Sequence, residues 1–76
     1  MAWERKLIRT VRVRNSQKRG VLGRLLTAIA DAGGHTGSLV LLTETSQNVV
    51  RDITITAEDE AQVESIVEAM RKNEDT

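Results

Sequence analysis

The stretch Val11-Arg12-Val13-Arg14-Asn15-Ser16-Gln17-Lys18-Arg19-Gly20-Val21-Leu22-Gly23-Arg24-Leu25-Leu26 (residues 11–26) decides the fold, because the spacing of its apolar residues changes in the middle. Before it, Leu7, Val11 and Val13 share one face of an alternating segment, with Thr10, Arg12 and Arg14 on the other. A period of two belongs to a strand with one buried face. Asn15 to Gly20 is polar and ends in glycine, so it reads as a loop. From Val21 onward the period lengthens: Val21, Leu22, Leu25, Leu26, Ile29 and Ala32 recur at spacings of three and four, the apolar stripe of a helix. Gly33 and Gly34 stop that helix, and one of them is expected in the left-handed conformation that ends many helices.

Working outward, Ser38 to Thr43 is a short apolar run, Glu44 to Asn48 a polar turn, and Val49 to Thr56 alternates again. In that last segment Val49, Ile53 and Ile55 face one way, and Val50, Asp52, Thr54 and Thr56 the other. The two runs predict a hairpin, without the Asn-Gly pair that would fix its turn type. Asp59 followed by Gln62 resembles a capping box. Val63, Ile66, Val67 and Met70 then form the stripe of a second helix whose wet face carries Glu64 and Glu68.

The order strand, helix, strand, strand, helix needs one sheet face to bury both helical stripes. The expected fold is therefore α+β: a ferredoxin-like βαββα(β) two-layer sandwich, with an antiparallel sheet, two helices on one face and the last strand missing. Residues 71–76, Arg-Lys-Asn-Glu-Asp-Thr, do not read as a strand. The chain is accordingly read as one domain over 1–76, cut at its C-terminus from a longer protein. The first strand would then be a sheet edge with unpaired backbone groups, open to pairing with another chain.

Composition narrows the function. With 76 residues, the chain buries only about 60% of its unfolded surface and gains from a partner. There is no cysteine, hence no disulfide or thiolate metal site. No run approaches the roughly 20 apolar residues that span a bilayer, and the N-terminus has no signal-peptide pattern, so a cytoplasmic protein without membrane contact is expected. Eleven basic and eleven acidic residues cancel, but they are segregated: Arg5, Lys6, Arg9, Arg12, Arg14, Lys18 and Arg19 crowd the first part, and acids dominate from Asp59. That asymmetry fits either an anionic partner or a basic strand facing an acidic helix. Nucleic acid is not expected: the strands carry no aromatic residue on which bases could stack, and Trp3 is the only aromatic in the chain. His35, the single histidine, has no second histidine or cysteine with which to hold a metal, and no nucleophile or acid–base pair is identifiable. No metal, cofactor or catalytic residue is assigned.

Gly20-Val21-Leu22-Gly23-Arg24-Leu25-Leu26 with Ala28-Ile29-Ala30-Asp31-Ala32-Gly33-Gly34 resembles the first loop and helix of ACT domains, and Val49-Val50-Arg51-Asp52-Ile53-Thr54-Ile55 resembles their third strand. The likeness runs from about Leu7 to Arg71, and is most like the N-terminal ACT domain of some bacterial NAD-dependent malic enzymes. Arg19 stands where that family usually has proline. The resemblance implies a regulatory domain, not an enzyme in itself, that binds a small effector such as an amino acid or small carboxylate at a homodimer interface and biases the catalytic domain of its parent chain. The ligand-binding role would fall on Asn15, Lys18, Arg19, Gly20, Val21, Leu22, Gly23 and Arg24. The physics of the segment agrees, since unpaired N–H groups and a partial positive charge at a helix start favour a carboxylate. The same glycines also fit a plain loop and a close helix–sheet contact. The alternative is an oligomerisation module that binds nothing.

Overall fold

A computed structural model describes residues 7–73; Trp3, Arg5, Lys6 and the acidic end at 74–76 lie outside the described residues. The elements are β1 (Leu7–Ser16), α1 (Val21–Asp31), β2 (His35–Glu44), β3 (Asn48–Ala57) and α2 (Glu60–Lys72). They form the expected α+β plan, a three-stranded antiparallel sheet in the order β1-β3-β2 with both helices packed on one face.

Strand pairing explains the differences from the sequence reading. Asn15 and Ser16 are polar and read as loop, yet they extend β1 by pairing with Val49 and Asn48. His35, directly after the glycines that stop α1 and ahead of the apolar run that begins at Ser38, opens β2 opposite Thr56. The register also sets rows across the sheet. On the helix-facing side, Val11 and Leu39 flank Ile53, and Val13 and Leu41 flank Arg51; on the opposite side, Arg12 and Val40 flank Asp52. The β2–β3 ladder slips twice, between Thr36 and Leu39 and between Leu41 and Thr43, as bulges do on edge strands.

The core lies between β3 and the helices. Ile53 and Ile55 meet Leu25 and Ile29 of α1 and Ile66 of α2, all fully buried, with Val13, Ala57 and Met70 completing the cluster. α1 ends as its glycines predict. Gly33 sits at φ 87°, its N–H reaches Ala30 O at 2.9 Å, and the N–H of Gly34 reaches Ile29 O at 3.0 Å. These two bonds are the Schellman pair. Gly34 is also needed for close approach: a Cβ there would stand 2.7 Å from Ile66 Cδ1 and 3.1 Å from Ile29 Cγ2. α2 starts on Asp59, whose carboxylate accepts the N–H of Gln62 at 2.8 Å. Gln62 returns the favour one residue earlier than a capping box would, its Oε1 accepting the N–H of Glu58 at 2.6 Å. Its Nε2 donates to Gly33 O at 3.3 Å, so one side chain joins the start of α2 to the end of α1. Neither described helix is long and apolar enough to cross a membrane.

Candidate functional site

The loop between β1 and α1 and the first turn of α1 carry the residues singled out for ligand binding, and the structure divides them by exposure. Lys18, Arg19, Gly20, Gly23 and Arg24 are exposed. Val21 is 2% exposed and belongs to the core, Leu22 packs against the core cluster, and Asn15 is 1% exposed at the end of β1. Val21 and Leu22 can therefore offer a ligand little but backbone, and the N–H of Val21 already donates to Lys18 O at 3.3 Å. Helical spacing already placed both in the apolar stripe.

The two helix starts differ chemically. α2 has the Asp59 cap and Glu60 in its first turn. α1 has no capping side chain and no acid in its first turn; its N-cap is Gly20, at φ 82°. A helix start left in this state keeps its positive end and N–H groups directed outward. The guanidinium of Arg24 lies over it, with Nη1 3.1 Å from where a Cβ of residue 20 would stand. At Gly23 nothing lies within 4 Å of an added Cβ, so the glycine leaves open space beside the backbone. A shallow depression of about 590 Å³ joins Gly20, Gly23 and Arg24 to Thr27, Asp31 and Asn73. Asn73, just past α2, closes one end of it, and its Nδ2 donates to Arg24 O at 3.3 Å. Thr27 and Asp31 lie one and two turns on from Gly23 and Arg24, a spacing visible in the sequence; Asn73 comes from the other helix, and nothing local announces it.

The loop is also stitched to the far side of the sheet. The N–H of Gln17 donates to Gln47 O at 2.9 Å, and its Nε2 donates to Glu44 Oε2 at 2.8 Å and to Thr45 O at 3.2 Å. Gln17 thus holds the loop against the end of β2. That strand is exposed along its whole length, and its centre is Leu39, Val40, Leu41 and Leu42, 43–55% exposed. Arg51 is a further cation that alternation could have found: it shares the helix-facing side of β3 with Val49 and Ile53, is half-buried, and stands in register with Leu41.

Elsewhere, Arg12 Nε donates to Asp52 Oδ1 at 2.9 Å and Nη2 to Oδ2 at 3.2 Å, the cross-strand pair that alternation allowed. The hydrogen bond from Arg12 holds the Asp52 carboxyl below its ordinary value; burial opposes this, and the charge of Arg12 adds a smaller pull in the same direction as the bond. Arg9, on the helix-facing side, pairs with Glu60. Among the described residues no group of three or more histidine, aspartate or glutamate side chains is placed to hold a metal, and His35 is exposed. No family model, curated protein or solved structure matches this chain.

Proposed function

We propose that the chain is a regulatory domain of the ACT type, which takes up an amino acid or small carboxylate at the start of α1 beside a homodimer seam formed by β2. The observation that carries this reading is the Gln17 stitch. It ties the loop that leads into an uncapped, arginine-covered helix start to the end of an uncovered apolar strand. A carboxylate fits the Gly20–Arg24 corner because the backbone N–H groups and the guanidinium are both donors and both positive. β2 suits a second copy of itself. Between His35 and Glu44 it has no lysine or arginine, and Glu44 is its only carboxylate, so two antiparallel copies meet with little like-charge conflict. On this reading the domain does no chemistry. It works in the cytoplasm as the sensor of an attached catalytic domain of the malic-enzyme kind, biasing its conformational equilibrium by about 1–3 kcal/mol, the usual scale of allosteric coupling.

The test is a thermal melt against amino acids and four-carbon dicarboxylates at two protein concentrations. A ligand that binds only the folded state raises the midpoint, and the rise should grow with protein concentration. Gly23→Val, whose side chain enters the open space, should remove the ligand response and keep the fold. A retained response would place the site elsewhere. The exposed Leu39–Leu42 run also favours a second reading, a dimerisation module without ligand. A midpoint that follows protein concentration alone would establish it.

A further inference from the structure

Arg51 is used neither by the core nor by the Gly20–Arg24 corner. It is half-buried on the helix-facing side of β3, and its side chain makes no hydrogen bond or ion pair among the described residues. Its neighbours on that side are apolar: Val49 and Ile53 along β3, Val13 on β1 and Leu41 on β2. Three of the four are buried and Leu41 is exposed, so the guanidinium reaches water over Leu41. Glu44, diagonal to Arg51 across the β2–β3 pair, is bonded by Gln17. Above this point, α1 approaches β2 and α2 does not. The 100° step of a helix puts Leu22 and Leu26 on the flank of α1 opposite Arg24, whose carbonyl faces the end of α2. That flank stands on the β2 side, so Leu22, Leu26, Leu39 and Leu41 make an apolar shoulder around the exit of Arg51. The strand that completes a ferredoxin-like plan joins β1, away from this shoulder.

We propose that Arg51 holds the carboxylate of a small branched monocarboxylic acid, in a site closed by a second copy of the chain. The site rests on the β2 seam of the reading above, but not on the Gly20–Arg24 corner, which lies on the other flank of α1. Two β2 strands paired about a twofold place residues of the same face opposite one another. With Val40 on the axis, Leu39 of each copy stands opposite Leu41 of the other on the helix-facing side. The two register slips lie one on each side of residues 39–41, so Thr36 and Glu44 share that side again and also stand opposite. In a lone chain, Arg51 can lay its stem on apolar surface and keep its charge in water. In the pair, the second copy's Leu39 and α1 lie across that path. A charge closed off from water needs an anion, and the second copy does not bring one. Glu44 is the only carboxylate of β2. It falls opposite Thr36, about 16 Å along the strand from Leu41, with which Arg51 is in register. The anion therefore comes from solution, and the leucines around it select a branched apolar body over a polar one.

The experiment is sedimentation equilibrium of the whole chain at neutral pH with 3-methylbutanoate, its neutral amide, or acetate. A ligand taken up only by the pair pulls the equilibrium toward it, so 3-methylbutanoate should tighten the dimer by about ten-fold or more. Acetate, which lacks the apolar body, should do less, and the amide should do nothing. Arg51→Met keeps the length of the side chain without its charge. It should dimerise more tightly than the native chain with no acid present, and it should no longer respond to one. Arg51→Gln tests the same charge if circular dichroism shows that Arg51→Met disturbs β3. Gly23→Val, at the corner, should leave the response intact. A response that survives the loss of the Arg51 charge, is matched by the amide, or disappears in Gly23→Val would overturn the proposal. A dimer indifferent to the acid would overturn it and leave the β2 seam standing. A chain that stays monomeric under every condition would overturn both.

Discussion

Among the described residues the two edge strands of the sheet, β1 and β2, are built alike and present opposite chemistry. Each has ten residues and each is antiparallel to β3. β1 keeps Val13 in the core and lies under α2, with arginines along its outer face. β2 carries its apolar residues on both faces, and every one of its residues is exposed. The difference teaches that the helix layer, not hydrophobicity, decides which strand is buried. Two helices cover β3 and the inner face of β1, and the most apolar run in the chain is left outside.

The largest expected effect comes from breaking the helix layer itself. Gly34→Val forces a side chain into the 2.7 Å space before Ile66 Cδ1 and should destabilise the domain by about 1–3 kcal/mol, as overpacking does. In a chain of this size that lowers the melting midpoint by about 4–8 °C for each kcal/mol. An unchanged midpoint would mean that α1 and α2 are not locked together at this point, and the contrast between covered and uncovered strands would fail with it. Next in size is a swap of charge between edges. Leu41→Lys should weaken dimerisation at least ten-fold in sedimentation equilibrium while moving the dilute melting midpoint little, since surface substitutions usually stay within about 0.5 kcal/mol. Arg14→Glu on the opposite edge should leave the dimer intact. The reverse pattern would assign the dimer to β1.

The smallest effect concerns the ion pair beside the β1 edge. The folded carboxyl of Asp52 is held below its unfolded value by Arg12. The pair therefore adds stability above the ordinary carboxylate range, and that stability is lost as pH falls through the folded value. Denaturation of the native chain and of Asp52→Asn should differ at neutral pH and converge in acid. A difference that persists in acid would show that Asn disturbs β3 for some other reason.

Much of this architecture could be read from residue spacing, and the exceptions have identifiable causes. The change of period between Val13 and Val21 located β1 and α1, and Gly33 and Gly34 ended the helix where two backbone bonds require it. Asn15 and Ser16 were hidden in the polar loop because pairing to β3, not composition, makes them strand. The exposure of Leu39 to Leu42 was hidden more thoroughly. A short apolar run is the pattern of a strand buried on both faces, and only the strand order shows that this one lies at an edge. At the candidate site, Gly20, Gly23 and Arg24 converge as their spacing implied, whereas Asn73 arrives from an element some fifty residues away, as its bond to Arg24 shows.

Gln17 has a consequence for timing. Its three bonds tie the β1–α1 loop to the last residue of β2 and the turn beyond it. Fraying of that strand end and loosening of the loop are thereby one event, not two. Clamping either, by any means, would quiet the other, and the slower of the two motions would set the pace for both.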